Sequence, residues 1–185
     1  RRGPRPILAD AGAPGLTGSV IMGRRLPASQ SPSLSIRSLS SAMGMNGVVP
    51  PSDRIVMGSI GVGSQGTGNM KGFLPRKEVQ FVSMCDVDTD HLAKASAIVN
   101  KYYKNTDCRT YKDYREFLEK EKLDAVCISV PDHWHSITYI AAANKKINIY
   151  GEKPLSRTIA EGQQIVKAVQ KNKIIWQTGS WQRSL

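Results

Sequence analysis

The chain has 185 residues, 40% of them hydrophobic, and a formal net charge of +11. That length suits one domain of ordinary size with a tail, the apolar fraction suffices for a buried core, and no run reaches the roughly 18 consecutive apolar residues of a membrane span. Nor does the charge point to nucleic acid: residues 1–50 hold six Arg against one Asp, and the other 20 basic and 14 acidic side chains are interspersed, as on an ordinary solvated surface.

Residues 1–53 are dominated by Ser, Pro, Gly and Arg and nearly lack acids. No hydrophobic period persists there, so the segment offers too little apolar surface to offset the entropy of ordering and is expected to be a flexible tail. It does not begin with Met. Arg24-Arg25-Leu26 ahead of a Ser-rich stretch resembles a twin-arginine leader, but without the apolar region of roughly 7–15 residues that a leader needs. The same composition fits an organellar transit peptide, or a tail with no address. A cytoplasmic location and export to the periplasm both stay open.

From Arg54 the pattern becomes regular. "RIVMGSI" (Arg54 to Ile60) is a short apolar run suited to a strand buried on both faces, and "EVQFVSMCD" (Glu78 to Asp86) is a second. Leu92, Ala95, Val99 and Tyr102 fall on one helical face between Asp88 and Tyr103. "DYREFLEKEK" reads as a charged amphipathic helix with Tyr114, Phe117 and Leu118 inward, and "DAVCISV" (Asp124 to Val130) as a third strand. Ile137, Ile140, Ala141 and Asn144 mark the next helix, and "INIYGEK" a fourth strand. Thr158 and Glu161 have capping-box spacing and open a helix with Ile159, Gly162, Val166 and Val169 on one face. "IIWQTG" (Ile174 to Gly179) is a fifth strand. This alternation predicts an α/β fold with a parallel sheet covered on both faces over residues 54–185. The three cysteines have no C-x-x-C spacing, so neither a disulfide framework nor a zinc site is signalled, and Cys85 and Cys127 read as small core residues.

"GVGSQG" (Gly61 to Gly66) sits between the first strand and the first helix. In that place Gly61 permits a tight turn, Gly63 lets the backbone approach a pyrophosphate, and Gly66 lets helix and strand pack closely. The free N–H groups of Ser64 and Gln65 and the positive end of the helix dipole then face the phosphates. The pattern also demands an acid about 20 residues on, at the end of the second strand, and Asp86 stands there. Its carboxylate suits an adenosine ribose and, with Asp88 beside it, repels a 2′-phosphate, so NAD is expected over NADP. A glycine turn with Asp86 as a helix cap, or another nucleotide-like ligand such as S-adenosylmethionine, fits these residues taken alone.

Ligands of an open α/β sheet bind beyond the carboxyl ends of its strands. "VPDHWH" (Val130 to His135) and "GEKP" (Gly151 to Pro154) fall there. Near a nicotinamide, Lys153 could hydrogen-bond a substrate hydroxyl and favour loss of its proton, with Glu152 orienting it. Pro131 and His135 would adjoin the cofactor, His135 with a possible proton-shuttling part. The bland alternatives are a loop histidine at His133, a helix-cap neighbour at His135 and a packing role for Trp134. His133 and His135 are two apart with no third ligand apparent, so no metal is assigned.

"IGVGSQG", "CDVD", "VPDHWH", "YGEKPLS" and "TGSWQRS", in this order, resemble the amino-terminal domain of the glucose–fructose oxidoreductase, inositol dehydrogenase and MocA (Gfo/Idh/MocA) family, over about Arg54 to Leu185. The resemblance implies an α/β fold with a Rossmann-type doubly wound parallel sheet, NAD(P) binding, and hydride transfer on sugars, cyclitols or related polyols. It makes Lys153 the lysine next to nicotinamide and substrate, puts a cis peptide before Pro154, and places Gln182 and Arg183 at the cofactor, where the chain starts the crossing to a second domain. Family members continue into an α/β domain that supplies the substrate pocket, usually an Asp and a catalytic His, and often the homo-oligomer interface. The chain stops at Leu185 with no His after Lys153, so that half of the site is expected to be missing. Two other readings share the cofactor site: a non-catalytic dinucleotide-binding module, and part of a glycosidase that uses tightly held NAD for transient oxidation.

Overall fold

The structure is a computed structural model that describes residues 49–180. Arg24, Arg25, Gln182, Arg183 and nearly all of the expected tail lie outside the described residues. Within the segment read as tail, Pro51–Asp53 form a short 3-10 turn, and the Arg54 guanidinium Nε donates to the Val49 carbonyl at 3.1 Å.

Six strands form one parallel sheet: β1 (Ile55–Ile60), β2 (Val79–Cys85), β3 (Arg109–Tyr111), β4 (Ala125–Ile128), β5 (Asn148–Glu152) and β6 (Trp176–Gly179). Their spatial order is β3-β2-β1-β4-β5-β6, a doubly wound order whose direction of winding reverses between β1 and β4. Five helices connect them: α1 (Ser64–Phe73), α2 (Thr89–Tyr103), α3 (Tyr114–Lys120), α4 (Asp132–Asn144) and α5 (Ile159–Asn172).

Two cores result. Met70 and Leu74, at the end of α1, and Leu92, Ala95 and Val99 of α2 pack with Met57, Phe81, Met84 and Cys127. Phe117 and Leu118 of α3, Tyr139 and Ala142 of α4 and Ile165 and Ala168 of α5 pack with Ile60, Val126, Ile128 and Ile149. Neighbours along β4 alternate between them, Val126 and Ile128 to one core and Cys127 to the other, as the period of a strand requires. Short, nearly unbroken apolar runs such as "AVCI" are what a sheet covered on both faces needs.

Three readings of the sequence are corrected. The strand Arg109–Tyr111 was not anticipated: it is three residues long, at the sheet edge, and without an apolar run. Helix α4 begins at Asp132, so His133, Trp134 and His135 form its first turn and not a loop. The faces of α4 and α5 are also rotated. His135, Ser136, Thr138, Tyr139, Ala142 and Ala143 are the buried residues of α4, whereas Ile137 is 49% exposed and Asn144 is exposed. Ile165 and Ala168 carry the buried face of α5, and Ile159 is 83% exposed. In both helices an exposed isoleucine, Ile137 or Ile159, drew the expected face away from the residues that pack on the sheet, among them the small Ala142, Ala143 and Ala168.

Candidate functional site

The carboxyl ends of β1 and β4 open into a groove of about 710 Å³, lined among others by Gly61, Gly63, Ser64, Gln65, Asp86, Ser129, Pro131 and Trp134. It lies at the strand-order reversal, where open α/β sheets bind ligands.

The glycine loop is built around three different needs. Gly61 has φ +80°, and a Cβ on it would lie 2.5 Å from the Ser129 carbonyl oxygen. A Cβ on Gly66 would lie 1.9 Å from the Gly61 carbonyl oxygen. These two glycines are demanded by the fold. Gly63 is not: its φ of −62° suits any residue, and a Cβ there would meet only the His91 ring, 3.6 Å away at Cε1 and 3.8 Å at Nδ1. The space beside Gly63 is therefore open toward the groove. Thr67 braces the loop from within, its hydroxyl donating to the Val62 carbonyl at 2.7 Å.

Helix N-termini leave backbone N–H groups without partners. Side chains of Asp88, Asp113 and Thr158 cap α2, α3 and α5, the last in a capping box with Glu161 as the sequence predicts. The N-termini of α1 and α4 carry no side-chain cap. These two helices follow β1 and β4, so the free donors sit on either side of the groove, where an anion would take them up.

Asp86 is not a helix cap; Asp88 has that part, accepting from the N–H groups of Asp90 and His91. Those bonds, led by the one from His91, hold the Asp88 carboxyl below its ordinary value. Asp86 accepts from the Val62 N–H at 2.7 Å through Oδ2 and from the Asp88 N–H at 3.0 Å through Oδ1. A carboxylate has about four lone-pair positions, so acceptor capacity remains for two hydroxyl donors.

Lys153 is not among the residues that line the groove; it is exposed, and the Lys153–Pro154 peptide is cis, as the resemblance implied. Glu152 is buried, and its carboxylate does not meet the Lys153 ammonium. It accepts from Asn69 Nδ2 at 2.8 Å, Gln65 Nε2 at 3.2 Å and the Lys153 backbone N–H at 3.2 Å. Glu152 thus ties the turn that bears Lys153 to helix α1. His135 is fully buried; its Nδ1 lies 2.5 Å from the Pro154 carbonyl and its Nε2 2.9 Å from the Val130 carbonyl. The Tyr139 hydroxyl donates to the Glu152 carbonyl at 2.9 Å. So His135 grips the same turn from α4, a geometry that favours positioning over proton transfer to a ligand.

Two groove residues, His91 and Trp134, and one residue beside the groove, Asn69, were not among the expected site residues. His91 was not considered, although it stands three residues after the capping Asp88 and so points back over the loop. Asn69 is one turn after Gln65 and shares its Glu152 partner. Trp134, 42% exposed and edge-on to Tyr114 at 6.3 Å, lines the groove where packing was the expectation. Among the described residues, no group of three or more His, Cys, Asp or Glu side chains converges to hold a metal ion, and no helix is long and apolar enough to cross a membrane.

Comparison with known proteins agrees with this geometry. The Gfo/Idh/MocA family model, an oxidoreductase family with an NAD-binding Rossmann fold, matches residues 55–180. This chain belongs to the Gfo/Idh/MocA family. An inositol 2-dehydrogenase of Salmonella typhimurium is 28% identical over 116 residues, covering 62% of this chain and 33% of that protein. A glycosyl hydrolase family 109 protein of Shewanella pealeana is 27% identical over 162 residues, covering 86% of this chain and 36% of that protein. The solved structure of myo-inositol 2-dehydrogenase from Lactobacillus plantarum superposes with a TM-score of 0.64 at 25% identity, over 71% of this chain and 38% of that one. The chain thus spans about a third of the length of these relatives, and what it holds is the NAD-binding Rossmann domain of a Gfo/Idh/MocA oxidoreductase.

Proposed function

We propose that this chain is the cofactor-binding half of an oxidoreductase that moves a hydride between NAD and a hydroxyl-bearing carbon of a sugar, cyclitol or related polyol. The observation that carries the cofactor half is Gly63, a glycine that neither the backbone nor the packing requires, beside an uncapped helix N-terminus. Ser64, Gln65 and their N–H groups would hold the pyrophosphate, and Asp86 the adenosine ribose. The Asp86 and Asp88 carboxylates disfavour a 2′-phosphate and so select NAD over NADP. Bound NAD supplies the hydride acceptor. The chain's own part is to present Lys153 to a substrate hydroxyl, where its amine takes or returns the proton, on a turn held by Glu152, His135 and Tyr139. The inositol dehydrogenase relatives support a polyol as substrate.

The test is proximity of Lys153 to the nicotinamide half. Lysines are methylated reductively with ¹³C-formaldehyde, and the Lys153 resonance is assigned with Lys153→Arg. The expected result is a shift of that resonance with NAD that ADP-ribose does not reproduce. A Lys153 signal indifferent to NAD, when NAD is bound, would leave a dinucleotide-binding module without the proposed chemistry. The family 109 relatives favour a second reading, hydrolysis of a glycoside through transient oxidation. Nitrophenol released from a nitrophenyl glycoside in the presence of NAD, with no accumulation of NADH at 340 nm, would select it.

A further inference from the structure

We infer that His91 is a diphosphate-contacting residue of the groove, placed between the acidic pair Asp86 and Asp88 and the phosphates that would lie beside Gly63. The inference rests on the dinucleotide reading above and adds to it a residue that the glycine-loop pattern does not contain.

Three distances carry it. Among the described residues, apart from the chain neighbours Val62 and Ser64, the imidazole is the only side chain within 4 Å of the position a Cβ would take on Gly63, at 3.6 Å for Cε1 and 3.8 Å for Nδ1. The same Nδ1 stands 3.8 Å from Asp86 Oδ2 and 3.9 Å from Asp88 Oδ2, too far for a hydrogen bond to either. The ring is 45% exposed and lines the groove, so a ligand can reach it. Among the described residues no acceptor takes up the donor capacity of this imidazole, which faces Gly63, the glycine of the loop with room beside it.

Charge gives the reason for a histidine there. Asp86 and Asp88 put two carboxylates on the α2 side of the groove, and Asp90 follows in the first turn. A diphosphate beside Gly63 would face that acidic cluster across a few ångströms. Lys112 and Arg115 also line the groove, but they belong to the segment that ends β3 and opens α3. Thr89 and Lys94 of α2 do not line the groove, so His91 is the α2 side chain there that can donate to a phosphate oxygen, and as an imidazolium it would also offset the carboxylates. Hydrogen bonds to a charged phosphate are the strong ones. The contribution is thus specific to the phosphates and absent for the nucleoside.

The test compares ligands on the 185-residue chain. Calorimetric titrations with NAD, ADP and adenosine are run on wild type, His91→Ala and His91→Lys. The exposed position should tolerate both changes, and unchanged thermal melting checks this. The expected result is roughly tenfold weaker binding of NAD and ADP by His91→Ala, with adenosine unaltered and most of the loss restored in His91→Lys. Equal loss for adenosine would make His91 a nucleoside contact and overturn the inference. So would NAD affinity unchanged in His91→Ala while wild type binds NAD well. Failure of wild type to bind NAD at all would overturn the dinucleotide reading together with it.

Discussion

Alanine substitutions at three glycines within six residues separate what the fold needs from what the ligand needs. On Gly66 the new methyl would sit 1.9 Å from the Gly61 carbonyl oxygen and 3.3 Å from Ser129 Cβ. Ordinary contact begins near 3.4 Å, so the N-terminal end of α1 would have to retreat by about 1.5 Å from backbone that cannot yield. Overpacking against backbone lies at the upper end of the usual range, about 3 kcal/mol. A melting temperature lower by roughly 6–12 °C follows for a domain of this size. On Gly68, in mid-helix, nothing lies within 4 Å of the new methyl. Alanine there gains about 0.5–1 kcal/mol of helix propensity and should raise the melting temperature by roughly 1–4 °C. On Gly63 the methyl meets only the His91 ring, and the cost is that of a poorer N-cap, about 0.5–1 kcal/mol. Yet that methyl would stand where a pyrophosphate approaches. Displacing it costs about 1–3 kcal/mol, or roughly 5- to 150-fold in Kd for NAD. Thermal denaturation by circular dichroism and calorimetric titration read the two quantities. Gly63→Ala that binds NAD like wild type, or Gly66→Ala that melts with it, would refute the division of roles.

Burial pushes the Cys85 thiol up to about 12, with Asp86 adding to the effect, and burial pushes Cys127 and Cys108 up to about 11. All three should react slowly with a maleimide at pH 8 in the native chain and rapidly in denaturant; fast native labelling of Cys85 would contradict the packing. Burial works to raise the Glu121 carboxyl, but the Arg109 guanidinium, bonded through Nε and Nη2 at 2.6 Å each, and the Tyr111 hydroxyl at 2.6 Å outweigh it and hold the group below its usual range. A depressed folded value means that this stability is present above the unfolded value of about 4.3 and is lost as pH falls through the folded one. Urea midpoints should therefore drop between about pH 4.3 and lower pH, and Glu121→Gln should flatten that limb; an unchanged acid limb would refute the pairing. Thr158→Ala removes the capping box of α5 and should cost about 1 kcal/mol with NAD affinity unaltered; a loss of affinity would place α5 closer to the site than its position implies.

The alternation of strands and helices was legible because the apolar runs are short and separated by turn and capping residues, and a parallel sheet covered on both faces follows from that alternation. What escaped has physical causes. Arg109–Tyr111 lies at the sheet edge, half exposed and too short for a period. Hydrophobicity misled the faces of α4 and α5, since Ala142, Ala143 and Ala168 are buried for their size while Ile137 and Ile159 stay outside. The glycine loop, Asp86 and Lys153 were legible as motifs, but the partners of Glu152 were not. Gln65 and Asn69 lie 87 and 83 positions earlier in the chain, and only the fold brings them to its carboxylate. His91 shows the same limit: its meaning lies in its distance to Gly63, 28 positions away in sequence.

The most direct test of the central claim is a calorimetric titration of the 185-residue chain with NAD and with NADP, repeated on Asp86→Ala. The account predicts binding of NAD, weaker binding of NADP, and a loss of roughly tenfold for NAD in Asp86→Ala as the ribose contact disappears. A folded chain that binds neither nucleotide, or an Asp86→Ala variant that binds NAD as wild type does, would contradict it.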